Sequence, residues 1–246
     1  MFLSVLPFSG CQQCVAGKHK AVAGNNACAD CGASKYSQAI GATSENTCSE
    51  CPTNSISPVG STACMCNKGF TGSGQTCTSC GAGKYKSDAG ANACSHCGAG
   101  KFSSVLEATA ESACSPCPTD SSSPLGSSSA TSCACTAGAS GPDGGPCTKC
   151  FAGKFKEATG SVVCTECGAG KFQTSVGAIV EASCVGCPAG TYSSTLGASD
   201  SLTCIACDAG MFSALASVTK SACISDCPPG FSGAPPSCTP CEEGTY

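Results

Sequence analysis

Twenty-eight cysteines in a chain of 246 residues are the side chains with chemistry to offer. They come mostly as Cys-x-x-Cys doublets, such as Cys77 with Cys80, Cys94 with Cys97 and Cys114 with Cys117. Thiols spaced in this way form disulfides, hold zinc or exchange electrons. The gaps of 13 to 16 residues lie near zinc-ribbon spacing, yet three features weigh against a metal. The doublets continue far beyond four ligands, only His19 and His96 supply imidazole, and Cys-x-Cys steps interrupt the pairs. A redox pair needs a βαβ surround, which no doublet has. No Asp-x-Asp/Asn calcium motif precedes the Cys-x-Cys steps. The expectation is disulfide chemistry, with no metal and no cofactor.

Catalysis has little to stand on. Neither a nucleophile elbow nor a phosphate loop is present, and His19 and His96 have no acid or nucleophile partner in sequence. His96 lies inside a doublet, as a spacer, and Glu107, Glu157 and Glu181 read as surface charges. The chain is expected not to be an enzyme.

Composition points the same way. The cysteine content exceeds the level that marks a disulfide scaffold. With no Trp, four Tyr and nine Phe, the chain lacks the apolar side chains for one large core, so loops must be closed covalently. Such bonds persist in an oxidising compartment, which predicts an extracellular or cell-surface protein. Arg is absent and the net charge is −4, which argues against nucleic acid. A charged fraction of 11% argues against a disordered chain. No stretch approaches the roughly 18 to 20 apolar residues of a membrane span. Met1 to Phe8 is apolar but lacks a basic start and is broken by Pro7, so it reads as a poor secretion signal. The expectation is that the export signal lies elsewhere or that the chain is part of something longer.

The elements that must hold these cysteines form a repeat within a repeat. Counted between successive doublets, the gaps run 13, 16, 12, 10, then 13, 16, 15, 11, then 13, 16, 16, 15, 10. An apolar segment (1–10) precedes unit 1 (11–76), unit 2 (77–146) and unit 3 (147–237, with one extra loop), and a further unit starts at 238–246. Cys51-Pro-Thr-Asn-Ser-Ile-Ser-Pro-Val-Gly-Ser matches Cys117-Pro-Thr-Asp-Ser-Ser-Ser-Pro-Leu-Gly-Ser, and each leads into a Cys-x-Cys step. No window sustains a helical period. Short two-stranded hairpins, turns and coil are expected, with almost no helix. Strand candidates are Gly83 to Lys86 and Gly153 to Lys156, and Gly-Pro-Asp-Gly at 141–144 predicts a tight turn.

The pattern Cys-x2-Cys-x2-Gly-x-Tyr/Phe, followed by Gly-x-x-x-Cys-x2-Cys, resembles the ephrin-receptor-like cysteine-rich repeat. That repeat stands within the growth-factor-receptor cysteine-rich group, which also includes tumour-necrosis-factor-receptor modules. The step Cys64 to Phe70 is similar to the C-terminal half of an epidermal-growth-factor-like (EGF-like) domain. The resemblance covers about Cys11 to Tyr246 and implies a fold of small disulfide-rich repeats in an extended extracellular rod. It departs from the family at Cys223 and Cys227, which are three residues apart, and at His19, which replaces the aromatic after Cys14.

In the resembled modules the cysteine before the Gly-x-aromatic step closes on the next cysteine along. Carried over, this implies Cys14 with Cys28, Cys31 with Cys48, Cys51 with Cys64, Cys66 with Cys77, Cys80 with Cys94, Cys97 with Cys114 and Cys117 with Cys133. It continues with Cys135 and Cys147, Cys150 and Cys164, Cys167 and Cys184, Cys187 and Cys204, Cys207 and Cys223, and Cys227 and Cys238. A crossed pattern, such as Cys77 to Cys94 with Cys80 to Cys97, stays open on the sequence alone. Tyr36, Phe70, Tyr85, Phe102, Phe155, Phe172, Tyr192, Phe212, Phe231 and Tyr246 recur at a fixed offset. They read as covers for their disulfides, and alternatively as a stripe that stacks sugars or a partner. Lys84, Lys101, Lys154 and Lys171 precede four of them and read as a solvated face.

No Asn-x-Ser/Thr sequon exists. Asn26, Asn46 and Asn92 stand in the Asn-x-Cys form, and Ser/Thr-rich loops around Pro58, Pro124 and Pro235 are candidate O-glycan sites, as in a glycoprotein. Under sequential pairing Cys11 and Cys241 have no partner. Fifteen residues would separate Cys241 from Cys11 of a second copy, within the range of the other gaps. These two cysteines are the expected inter-unit junction: a longer continuous array, or copies joined head to tail with Met1 to Phe8 docked between them. The functional expectation is an extracellular structural rod serving as a stalk, surface fibre or filament. The alternative is a ligand-binding receptor or cell-adhesion ectodomain.

Overall fold

The computed structural model describes residues 12–225, 230–233 and 239–241. Among them every strand is two or three residues long and pairs in a two-stranded sheet, and the pairings are antiparallel hairpins. Lys84–Tyr85 against Ser95–His96 is representative, with Tyr85 opposite Ser95 and Lys84 opposite His96. Each hairpin is launched by a turn whose third residue after a half-cystine has positive φ. Glycine fills this place at Gly83 (φ 79), whereas Ser34, Asn54 and Asp120 occupy it elsewhere. Asn and Asp tolerate that region better than other side chains, and Ser34 sits there less comfortably.

Helix is confined, among the described residues, to 3-10 turns such as Glu45–Thr47, Glu111–Ala113 and Glu181–Ser183. Each of these sits just before the second cysteine of a longer loop, and the loops with 13-residue gaps omit it. The expected turn near Gly141 closes from the Pro142 carbonyl to the Gly145 N–H, with Gly144 at φ 76. The series of small disulfide-rich hairpins is thus the fold, as the composition and spacing predicted.

Among the described residues there is no large core, and sulfur takes its place. Cys31, Cys66, Cys97, Cys133, Cys135, Cys167 and Cys187 are fully buried, and Phe155 with Cys167, Ala178 and Cys184 forms a cluster of buried apolar residues. The chain divides into two compact units. One takes the chain up to Ser115 with Leu125–Ser129, the other Pro116–Pro124 with everything from Ala130.

Candidate functional site

From Cys14 to Cys223 the structure closes each loop on itself. Disulfides join Cys14–Cys28, Cys31–Cys48, Cys51–Cys64, Cys66–Cys77, Cys80–Cys94 and Cys97–Cys114. They also join Cys117–Cys133, Cys135–Cys147, Cys150–Cys164, Cys167–Cys184, Cys187–Cys204 and Cys207–Cys223. Cys241 carries a free, half-buried thiol. Cys11, Cys227 and Cys238 lie outside the described residues, as do Tyr246, Pro235 and the apolar segment 1–10.

Closed loops still have to be joined to one another, and backbone hydrogen bonds do this in a fixed register. In the first compact unit the Gly83 N–H donates to the Ser103 carbonyl of the next loop, and the Ser103 N–H donates to the Ser127 carbonyl of the one after. The second unit repeats the pattern, with Gly153 donating to Gln173 and Gln173 to Ala198. The aromatic stands one residue earlier and forms a parallel bridge to a small residue ahead, as in Tyr85 with Ala108 or Phe155 with Ala178. Space at these crossings is tight. A Cβ on Gly83 would stand 2.1 Å from the Gly126 carbonyl oxygen, and one on Gly153 2.0 Å from that of Gly197.

The junction has a side-chain component that the sequence reading missed. It is the sixth residue after the half-cystine that opens each loop. In the loops that follow another full loop this residue is Ser37, Ser57, Ser103, Ser123, Gln173, Ser193 or Ser213, all buried. Ser57 Oγ donates to the Lys35 carbonyl at 2.7 Å and Ser213 Oγ to the Thr191 carbonyl at 2.7 Å, each in the loop before. In the short Cys-x-x-Gly steps the position is Gly72 or Gly141, where a Cβ would meet backbone oxygen at 2.1 or 2.3 Å. The loop after each such step carries lysine instead.

Lys86 and Lys156 are only 4% and 3% exposed. Lys86 Nζ donates to the Phe70 carbonyl of the preceding step at 2.6 Å and to the Gly90 carbonyl of its own loop at 2.6 Å. Lys156 Nζ does the same with Ala139 and Gly160, both at 2.6 Å, and reaches Cys135 at 3.5 Å. A buried ammonium is stabilised only when its N–H groups find oxygen, and here the oxygen is main-chain carbonyl. Burial lowers the Lys156 ammonium from its ordinary 10.5, opposed by the charge of Asp143. Among the described residues no buried side-chain nitrogen or oxygen lacks a partner. The clue was present in the sequence. Lys20, Lys86 and Lys156 recur at one offset in the loops with 13-residue gaps, apart from the lysines that precede the aromatics.

Other candidates fall into place around this frame. His19 occupies the aromatic position, pairs with Ala29 and bridges to Ala42. Its Nδ1 lies 3.6 Å from Cys48 Sγ, and with Cys31 it forms a compact cluster of potential ligand atoms. Both sulfurs are spent in the Cys31–Cys48 disulfide, so they offer no thiolate to a metal. Phe155 and Phe212 are buried, whereas Phe231 is 42% exposed. Lys101, Lys154 and Lys171 make exposed ion pairs with Glu111, Glu166 and Glu181 at 2.8, 3.1 and 3.2 Å, which solvent screens. A cavity of about 450 Å³ beside Phe172, Val176 and Ile179 has no titratable residue in its lining. It offers no group for acid–base work.

Residues 69–114 and 138–184 match the family described as tyrosine-protein kinase ephrin type A/B receptor-like. Each match begins at the glycine of a Cys-x-x-Gly step and includes a lysine-bearing loop, so it contains the junction described above. The chain therefore carries cysteine-rich repeats of the ephrin-receptor-like kind. A comparison with curated proteins finds no match. Among the described residues no helix is long and apolar enough to cross a membrane.

Proposed function

We propose, from a chain carrying these receptor-like repeats, that it is an extracellular structural protein without enzymatic activity: a disulfide-stapled rod used as a stalk, surface fibre or filament subunit. The observation that carries this reading is that, from Cys14 to Cys223, loops closed by their own disulfides are hydrogen-bonded to the loops that follow. Such an array holds length without a central core and leaves its stability local. Its density of disulfides favours an oxidising, extracellular setting.

The units 11–76, 77–146 and 147–237 are proposed as its periods. In the filament version, Cys241 of one copy bonds Cys11 of the next. O-linked glycans on the Ser/Thr-rich loops would coat the surface of the rod. A receptor or adhesion ectodomain is the second reading, favoured by the receptor-like description of the matched family.

Electron microscopy of native, unreduced material tests the proposal, repeated after a reductant. Long filaments that fall apart on reduction support covalent joints, and filaments that survive place the joints in noncovalent packing or one continuous chain. Isolated short particles in both samples move the assignment to a receptor or adhesion role.

A further inference from the structure

Three loops of the chain are counterparts that differ in the ring laid against them. Cys31–Cys48, Cys97–Cys114 and Cys167–Cys184 each join cysteines 17 residues apart, and each follows a lysine-bearing loop. Their burial is the same: the first cysteine is fully covered, and the second is 6%, 6% and 7% exposed. The loop before supplies His19, Tyr85 or Phe155, which forms a parallel bridge to Ala42, Ala108 or Ala178. The N–H of the following lysine donates to the carbonyl of that alanine at 3.0, 2.9 and 3.0 Å, so the ring is pinned in one register.

In the third copy the ring packs against the bond, for Phe155 clusters with Cys167, Ala178 and Cys184. In the first copy the ring is imidazole. His19 Nδ1 lies 3.6 Å from Cys48 Sγ, and the ring nitrogen and the sulfurs of Cys31 and Cys48 all fall within 4.8 Å of one another. Imidazole can pass a proton near neutral pH, which phenol and phenyl cannot. Its charged neighbours are Lys18 and Lys20 beside it in the chain, Asp30 on the paired strand, and Lys35 and Glu45 on the loop it packs against. Both carboxylates are already engaged, Asp30 by Lys18 at 2.9 Å and Glu45 by Lys35 at 3.8 Å.

We propose that Cys31–Cys48 is a thiol-exchange site, with a small thiol as its co-reactant and His19 as its acid. The thiolate attacks Cys31 Sγ, the S–S bond breaks, and its electron pair leaves on Cys48 Sγ, which takes the proton of His19 Nδ1. A second thiolate attacks the external sulfur of the mixed disulfide, and Cys31 leaves in turn. The protein bond is reduced to two thiols, the small thiol is oxidised to its disulfide, and solvent returns a proton to His19. An imidazolium beside the departing sulfur favours the step because it stabilises the leaving thiolate. Local opening must admit the thiolate in all three counterparts alike, so the comparison among them isolates the ring. The exchange loosens one loop between the closed bonds Cys14–Cys28 and Cys51–Cys64. It goes beyond the structural role proposed above and does not depend on it.

The test treats the full, oxidised chain with 2-mercaptoethanol, quenches with acid, alkylates the freed thiols and maps them by peptide mass spectrometry. The three counterpart bonds are timed within one sample. Cys31–Cys48 is expected to open about tenfold or more faster than Cys97–Cys114 and Cys167–Cys184. His19→Phe should bring it down to their rate, and Phe155→His should speed Cys167–Cys184 instead. Divided by thiolate concentration, the Cys31–Cys48 rate should rise as pH falls from about 8 to about 6, while the other two stay flat. Equal rates for the three bonds in the wild type overturn the proposal, and so does a fast rate that persists in His19→Phe. A fast rate that is flat with pH also overturns it, because the ring would then only leave the bond easier to reach.

Discussion

Two loops of the first compact unit solve one problem with different side chains. In Cys51–Cys64 the sixth residue is Ser57, whose hydroxyl reaches the Lys35 carbonyl one loop back. In Cys80–Cys94 it is Lys86, whose ammonium reaches past its own loop to the Phe70 carbonyl. What differs is the element behind. Ser57 follows a full loop whose hairpin strand stands within a hydroxyl's reach, whereas Lys86 follows a short Cys-x-x-Gly step whose sixth place, Gly72, has no room for a Cβ beside the Thr76 carbonyl oxygen. The residue type thus follows the length of the preceding loop, and the backbone register stays the same. The junction is therefore a specific polar fit added to the covalent closure of each loop.

The largest expected effect removes the covalent part. The variant Cys80→Ser with Cys94→Ser loses about 3 kcal/mol of local stability on the chain-entropy account of a loop near this length. Amide exchange within residues 66–114 reads that loss. Next, Gly83→Ala should cost about 2 kcal/mol or more, because its φ of 79 and the Gly126 carbonyl both oppose a Cβ. Gly81→Ala, with open space around it, should be close to neutral in the same thermal melt.

The side-chain contrast comes next. Lys86→Met leaves the Phe70 and Gly90 carbonyls without their buried donor and should cost about 2 kcal/mol, against about 1 for Ser57→Ala. Equal costs in denaturant titration would erase the distinction drawn between the two junctions. The smallest effect is electrostatic. The hydrogen bond from Lys101, reinforced by its charge, holds the Glu111 carboxyl below its ordinary 4.5. A lowered folded-state value means the pair's contribution is present above 4.5 and is lost as pH falls through that lower value. Glu111→Gln should therefore flatten a slight acid-side loss of thermal stability, and the exposure of both groups keeps it slight.

The fold class was legible because it follows from composition: too few large apolar residues, too many cysteines, and no helical period. The loop boundaries were legible as gaps between doublets. Which cysteine meets which came from resemblance, since sequence spacing is compatible with crossed bonds as well. The lysine junction was not read, although Lys20, Lys86 and Lys156 recur in plain view. A lysine beside a strand is ordinarily a solvated group, and its burial depends on where carbonyls of another loop converge, which sequence order does not display. Lys84 and Lys86 stand two residues apart and have different fates, one half-exposed and the other buried.

Local closure of each loop is the claim on which the structural role rests. Peptide-resolved hydrogen exchange across the whole oxidised chain of the Cys80→Ser, Cys94→Ser variant tests it most directly. The account predicts lost protection in residues 66–114 and on into the loop reaching Ser127, with protection from Cys150 to Cys204 unchanged. Loss of protection along the entire chain, or none even within residues 80–94, would contradict it.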